Sequence, residues 1–309
     1  MSLASRCTKG KTSKEVAMES IADAMDKVID RDKYKEVTSR ILGNVEIKAF
    51  IEEHGMQERE IMKSMPKFNE YLRDNEQFKD FSKKLVFNAG YAEVVYKETD
   101  ESISRKKARS AINRLKAKSL LLDETIKTAT FDNFKIETDE ERQAFDFAKN
   151  LAEFYKNGGQ GNSFMSGPAG SGKSHLSMAI LKSYLESGEK TALFVSYSHV
   201  VRLIKDSFNN RDSIYTQNNI MGLLTNVDLL VMDDIGSENN SDFSEELLTD
   251  VLDGRISTII TTNLSSEELR GSNTKKGRYN QRTASRMFRG IGGKAFNFKG
   301  IKDKRVLPF

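Results

Sequence analysis

This sequence of 309 residues has a single cysteine and no tryptophan, and it lacks any long hydrophobic run. With Cys7 alone, neither a disulfide framework nor a cysteine-rich zinc site can form, which indicates a reducing compartment. Because a membrane-spanning helix needs roughly 18 to 20 consecutive apolar residues, we expect no membrane segment, and no signal peptide is visible. These absences predict a cytoplasmic protein.

Charged residues are abundant, since they make up 30% of the chain, yet they nearly cancel to a formal net charge of +4. Such a weakly basic balance permits contact with nucleic acid without arguing for it. A chain of this length exceeds one average domain, so we expect two domains, each with its own core.

Residues 1–120 carry mainly the apolar spacing of amphipathic helices. Helices are expected at 15–29, 34–42, 45–54, 57–65, 67–87 and 105–122. Only the stretch from Tyr91 to Tyr96 alternates as a strand does. We therefore expect a small, mostly helical N-terminal domain. The basic run Arg105-Lys106-Lys107 suits either a solvated helix face or a contact with nucleic acid or a partner protein.

Residues 121–138 are interpreted as a linker, and residues 139–309 as an α/β domain in which short apolar runs alternate with amphipathic ones. That alternation predicts a parallel sheet flanked by helices on both faces. The expected strands are 162–166, 191–196, 228–233, 257–262 and 294–298, with helices at 139–156, 174–187, 199–208, 244–253 and 279–289. In such a sheet ligands bind at the carboxyl ends of the strands.

The most specific motif lies where the first of these strands meets the next helix. Residues 167–176 read Gly-Pro-Ala-Gly-Ser-Gly-Lys-Ser-His-Leu and satisfy G-x-x-x-x-G-K-[ST], the loop that cradles nucleotide phosphates. Its backbone N–H groups and the helix N-terminus would face the phosphates. Lys173 would neutralise the β- and γ-phosphates, and the Ser174 hydroxyl would bind Mg²⁺. The nucleotide-binding residues are predicted to be Gly167, Pro168, Ala169, Gly170, Ser171, Gly172, Lys173, Ser174 and His175.

Two further strands end in polar side chains at the same edge of the predicted sheet. One delivers Asp233, which would bind Mg²⁺, and Asp234, which would orient or deprotonate an attacking water. The other ends in Asn263, which would sense the γ-phosphate. Alternatively Asn263 caps the following helix, a role for which Ser265 is equally suited.

Four arginines near the C-terminal end of the sequence have the spacing of one helix face: Arg278, Arg282, Arg286 and Arg289. No matching acids accompany them, so the row would face something anionic. A neighbouring subunit's γ-phosphate would make one of them an arginine finger, while nucleic-acid phosphates are the other candidate. A merely solvated face remains open.

Together these residues resemble the AAA+ helicase loaders of the DnaC/DnaI type and the related IstB transposition ATPases. The resemblance covers about 128–307. It rests on residues 167–176, Asp-Asp-Ile-Gly (233–236), Thr-Thr-Asn-Leu (261–264), Arg-Thr-Ala-Ser-Arg-Met (282–287) and the ending Phe298-x-Gly300-x-x-Asp303-x-Arg305. Over residues 1–120 the likeness is one of arrangement only, and the zinc cluster of DnaI proteins cannot form with one cysteine.

The resemblance implies an AAA+ P-loop ATPase that uses ATP and Mg²⁺ and acts as a homo-oligomer. It assigns catalysis to Asp234, to Asn263 as sensor 1 and to Arg286 as the arginine finger, with Arg282 as its alternative. Ser174 and Asp233 correspond to the metal ligands. Residues 199–226, with Arg202, Lys205 and Arg211, would help bind single-stranded DNA, and Arg305 would act as a second sensor.

The same resemblance implies a function in replication initiation and primosome assembly. The domain over residues 1–120 would hold a hexameric DnaB-type replicative helicase, and ATP would drive its loading onto single-stranded DNA. The alternative is an IstB-like ATPase that partners a transposase on duplex DNA. An adaptor that binds ATP without hydrolysing it is a third hypothesis, and the paired carboxylates argue against it.

Overall fold

The computed structural model describes residues 31–73, 79–210, 212–271 and 276–304. The chain divides into two compact units, of which the first ends at Ser102 and the second begins at Ile103. The helix expected at 15–29 lies outside the described residues, as do Arg211 and Arg305.

In its described residues, the first unit combines three helices with a β-hairpin. These elements are α1 (Arg31–Gly43), α2 (Val45–Glu53), α3 (Glu58–Leu72), β1 (Phe81–Asn88) and β2 (Tyr91–Glu98). The mostly helical character is as predicted, but the helix expected over 67–87 is wrong beyond Leu72. Residues 81–88 instead pair antiparallel with β2, and Leu85 is buried in the unit's core with Phe68 of α3. The charged, irregular pattern of β1 does not reveal the hairpin that it forms with β2.

The second unit is built on a five-stranded sheet in the order β4–β5–β6–β3–β7. Its strands are β3 (Ser163–Ser166), β4 (Ala192–Ser196), β5 (Leu229–Asp233), β6 (Thr258–Thr262) and β7 (Ala295–Asn297). Every pairing is parallel. All five strands lie within the ranges expected from the sequence, so the predicted parallel sheet is confirmed.

Helices cover both faces of this sheet. Successive residues of each strand point to opposite faces, so neighbouring residues are buried under different helices. Met165 is buried in one hydrophobic cluster and its neighbour Phe164 in the other. The helices are α4 (Asp100–Lys118), α5 (Asp139–Lys156), α6 (Lys173–Tyr184), α7 (Tyr197–Ser207), α8 (Gln217–Thr225), α9 (Asp242–Asp253), α10 (Ser266–Arg270) and α11 (Gln281–Met287). Within the described part of the chain, no helix is long and apolar enough to cross a membrane.

The division between the units falls near residue 102 rather than near 120. Leu115 of α4 is buried in the same cluster as Phe194 of β4, so α4 contributes to the second core. The chain then runs along β4, where the Leu120 N–H donates to the Phe194 carbonyl oxygen at 3.1 Å. In the stretch 121–138, expected as a linker, Phe134 is also buried in this core.

Arg255 follows α9 and is buried. Its side chain connects the residues that precede β5 with the residue that precedes β6. Its guanidinium donates to the carbonyl oxygens of Leu224 at 2.6 Å, Val227 at 2.8 Å and Ser257 at 3.0 Å. Burial lowers the pKa of Arg255 to about 10. The short connection between α9 and β6 therefore contains a cation whose donors satisfy backbone carbonyl groups that would otherwise be unpaired.

Replacing Arg255 by methionine should lower the free energy of unfolding by about 3 kcal/mol, because several buried carbonyl oxygens lose their donor. Urea denaturation at pH 7 measures this loss. Arg142→Met, at an exposed position of α5, is the control and should change stability by less than about 0.5 kcal/mol. If Arg255→Met were as stable as the wild type, water would have to reach those carbonyl groups.

Candidate nucleotide-binding site

The glycine-rich loop joins β3 to α6 at the carboxyl edge of the sheet. Gly167, Gly170 and Gly172 have φ angles of 138°, 73° and 92°, which residues with side chains rarely adopt. A Cβ on Gly172 would also lie 2.7 Å from the ring of Phe134. The loop thus leads into the N-terminus of α6, where backbone N–H groups without helical partners favour an anion.

Lys173 is the first residue of α6, and it is only 6% exposed. Its ammonium donates to the carbonyl oxygens of Gly167 and Pro168, each at 2.8 Å. It also donates to Oδ1 of Asn263 at 3.0 Å. A positive charge is therefore held inside the loop, beside the backbone that the sequence pattern assigns to phosphate binding.

Asp233 ends β5 and accepts two hydroxyl hydrogen bonds on the same oxygen. Ser174 Oγ donates to Oδ1 of Asp233 at 2.8 Å, and Thr261 Oγ1 donates to it at 2.6 Å. Burial raises the pKa of the Asp233 carboxyl to about 6, against the opposing effect of the two hydroxyl donors. A carboxylate next to a hydroxyl supplies the hard oxygen ligands that Mg²⁺ takes in phosphate sites, so these residues fit that ion.

Asp234 has a φ angle of 57°, in the left-handed region that non-glycine residues seldom occupy and that is often found at functional sites. Its N–H donates to Thr261 Oγ1 at 2.9 Å, and its Oδ1 accepts from Nδ2 of Asn263 at 2.9 Å. Asn263 therefore bridges Asp234 and Lys173. The N-cap of α10 is Ser265, so the alternative role of Asn263 as that cap is not adopted.

These groups line one wall of a cavity of about 610 Å³. From the predicted loop, Ala169, Gly170, Gly172, Lys173, Ser174 and His175 line it, together with Asp233, Asp234 and Asn263. Gly167, Pro168 and Ser171 are not among its lining residues. Ser171 is instead buried and donates to the Pro168 carbonyl oxygen at 2.8 Å, which stabilises the turn itself.

A second wall of the cavity is formed by residues outside the predicted motifs. They include Leu121, Asp123, Ile126, Asn133, Phe134 and Lys304. His175 connects the two walls, because its Nε2 donates to the Thr130 carbonyl oxygen at 2.9 Å and its ring packs edge-on against Phe134. Burial lowers the pKa of His175, which favours the neutral ring. No motif in the sequence indicated this second wall, whereas Thr261 belongs to the Thr-Thr-Asn-Leu motif.

Arg286 does not line this cavity. It lies on α11, where its Nε pairs with Oδ1 of Asp253, and Nη2 of Arg282 lies 3.2 Å from the other oxygen of the same carboxylate. Both arginines thus share one acidic partner at the end of α9. The side chain of Arg286 is 38% exposed.

The expected row of four arginines on one helix face is wrong, as is the absence of matching acids. Helix α11 includes only residues Gln281–Met287. Arg278 precedes the helix and pairs with Oε1 of buried Glu238 at 3.2 Å. Arg289 follows it, and its Nη2 donates to the Leu252 carbonyl oxygen at 2.7 Å. The helix ends early because the chain turns back toward β7 at Gly290, whose φ angle is 66°.

Comparison with known proteins relates both units to described families. Residues 76–272 match the model for IstB-like ATP binding protein, and residues 18–102 match the model for the N-terminus of primosomal protein DnaI. The replicative helicase loader DnaC of Buchnera aphidicola (subsp. Acyrthosiphon pisum) is 31% identical over 168 residues, which are 54% of this chain and 67% of that protein.

Two further comparisons cover about half of the chain each. The replicative helicase loader DnaC of Escherichia coli K12 is 30% identical over 144 residues, which are 45% of this chain and 57% of that protein, so little more than half of its length is spanned. A crystal structure of the DnaC helicase loader aligns with a TM-score of 0.44 at 22% identity, over 57% of this chain and 98% of that one.

Proposed function

This chain belongs to the family of IstB-like ATP-binding proteins, and from that premise we propose that it uses ATP to load a hexameric replicative helicase onto single-stranded DNA. It is an AAA+ ATPase of the DnaC/DnaI helicase-loader type. The observation that carries the proposal is the convergence of Lys173, Ser174, Asp233, Asp234 and Asn263 at one cavity.

The chemistry follows from what each of these side chains does there. The ammonium of Lys173 exchanges its carbonyl partners for phosphate oxygens and neutralises them. Ser174 and Asp233 would hold Mg²⁺, which offsets the remaining phosphate charge. Asp234 accepts a hydrogen bond from the attacking water, and the amide of Asn263 keeps that carboxylate in place. Catalysis of this kind depends on positioning and on electrostatic stabilisation.

We further propose that the active form is a homo-oligomer. The cavity of one subunit lacks Arg286 among its lining residues, whereas α11 holds that partly exposed arginine beside Asp253. A neighbouring subunit would therefore supply the cation that compensates the transition-state charge. Arg282, on the same helix and paired with the same acid, is the alternative.

The first unit is proposed to bind the helicase. Its described residues belong to the stretch 18–102 that matches the DnaI N-terminus, which supports the assignment. The place of action is proposed to be the cytoplasm, in keeping with the single cysteine, Cys7.

The test is a loading assay with the full chain, a DnaB-type hexamer and closed circular single-stranded DNA. With ATP, the helicase should become bound to the circle and resist dilution into competitor DNA, and it should not do so without this protein. Helicase that never associates with the chain would refute the proposal. Stable assembly on duplex DNA without helicase binding would favour the IstB-like alternative, a partner of a transposase.

Binding to single-stranded DNA is proposed to involve Arg202 and Lys205 of α7, beside Phe208, which is 62% exposed. Cations bind phosphates, and an exposed aromatic ring stacks on bases. Replacing Arg202 and Lys205 together by alanine should weaken oligonucleotide binding about tenfold and lower the salt dependence, because about two phosphate contacts are lost.

Fluorescence anisotropy with labelled oligonucleotide at several salt concentrations measures this effect. The matched control replaces Arg142 and Lys299, two exposed cations, and should leave both the affinity and the salt slope unchanged. Equal losses in the two double variants would show that only net charge matters and would contradict a site on α7.

A further inference from the structure

The segment that follows β7 runs across the phosphate loop. The Phe298 N–H donates to the carbonyl oxygen of Ser166 at 2.7 Å, where the loop begins, and the Lys304 N–H donates to the Gly170 carbonyl oxygen at 3.0 Å. The carboxylate of Asp303 lies against the same glycine, since a Cβ on Gly170 would be only 1.8 Å from its Oδ1. The loop is therefore held from outside at two points.

The side chain of Lys304 contacts a different part of the cavity lining, the 131–135 segment. Its ammonium donates to the Lys135 carbonyl oxygen at 2.6 Å and lies 4.7 Å from the ring centroid of Phe134. Phe134 in turn packs against His175 of the loop. One residue thus contacts the phosphate loop through its backbone and the 131–135 segment through its side chain.

A buried acid fixes the position of that ammonium. Glu141 is 4% exposed, and its Oε1 lies 2.8 Å from Nζ of Lys304. Its other oxygen accepts the backbone N–H groups of Glu137 and Thr138, which cap α5. Burial alone would raise the pKa of Glu141, but Lys304 and these N–H groups outweigh it and lower that pKa. The Lys304 ammonium is therefore bound by the Glu141 carboxylate and the Lys135 carbonyl oxygen.

We infer that Lys304 is a positioning residue for nucleotide binding, which joins the phosphate loop to the 131–135 segment and so maintains the shape of the cavity. The inference deepens the proposed function and rests on it. Protein groups bind the Lys304 ammonium, so Lys304 affects nucleotide binding through the shape of the cavity. That effect is the same in the ground state and in the transition state. The loss of Lys304 should therefore raise KM and leave kcat almost unchanged.

The test compares Lys304→Met with Lys302→Met, an exposed neighbour on the same segment, and with the conservative variant Lys304→Arg. We expect Lys304→Met to raise the Kd of a fluorescent ADP analogue about tenfold, since a charge-assisted pair of contacts is lost. Dissociation should be faster by a similar factor, and kcat should stay within about twofold. Lys302→Met should match the wild type, and Lys304→Arg should recover most of the affinity.

A second variant keeps the inference testable if Lys304→Met leaves Glu141 uncompensated and fails to fold. Lys304→Met with Glu141→Gln removes both charges together with the tie to residue 135, and its Kd should still rise about tenfold. If the wild type binds nucleotide and a folded variant with Lys304→Met binds it equally well, the inference is overturned while the proposed function stands. A fall in kcat at constant KM in that variant would overturn the inference too. A wild type that binds no nucleotide would overturn the proposed function as well.

Discussion

Lys173→Ala should bind an ATP analogue at least about 100-fold more weakly than the wild type, because two or more charge-assisted contacts to phosphate are lost. The ammonium of Lys173 lies between the carbonyl groups of Gly167 and Pro168 and the amide of Asn263, so it needs only to exchange partners when phosphates arrive. Isothermal titration with a non-hydrolysable analogue and Mg²⁺ measures the affinity.

Two matched variants separate position from charge. Lys118→Ala removes an exposed lysine of α4 and should bind as the wild type does. Lys173→Arg keeps the charge but introduces a planar, wider head group into a nearly buried position, so we expect most of the affinity to be lost. Wild-type affinity in Lys173→Ala would mean that phosphates are held elsewhere, and the assignment of this loop would be abandoned.

Arg286→Ala should lower the rate of ATP hydrolysis by about 10³-fold or more while leaving nucleotide affinity unchanged, because an arginine supplied in trans acts on transition-state charge. The matched control is Arg282→Ala, which removes an arginine from the same helix with the same partner, Asp253. We expect that control to retain most of the activity. Phosphate release is followed across a range of protein concentrations, and the wild-type specific rate should rise with concentration.

Mixing two inactive variants gives the sharpest result. Arg286→Ala keeps an intact loop, and Lys173→Ala keeps an intact α11, so a mixed oligomer contains sites in which one subunit's loop faces the other's arginine. Activity should return in the mixture although each variant alone is inactive. Turnover that is independent of concentration and retained in Arg286→Ala would contradict an arginine supplied in trans. If Arg282→Ala lost as much activity as Arg286→Ala, the role in hydrolysis would belong to α11 rather than to one arginine.

The parallel sheet and the phosphate loop could be predicted from the sequence because their signals are local. Each strand is a short apolar run bounded by turn residues, and the loop pattern of Gly167 to Ser174 carries its own stereochemical reason. The convergence of Asp233, Asp234 and Asn263 was also foreseeable, since parallel strands end at one edge of a sheet.

Other features required the folded chain, because they depend on contacts between segments rather than on a pattern within one segment. β1 is a strand only through its pairing with β2. Three of the arginines expected to lie unpaired in a row, Arg278, Arg282 and Arg286, instead pair with Glu238 and Asp253.

The sequence by itself thus determined the class of fold, the loop that grips phosphate and the acids beside it, all of which rest on local pattern and fixed spacing. Only the tertiary structure decided the second wall of the cavity. Phe134 and Lys304 lie far apart in sequence, yet both line that cavity, and the Lys304 ammonium lies over the Phe134 ring. Burial of Glu141 requires a cation at that point, and no periodicity in the chain encodes such a pairing.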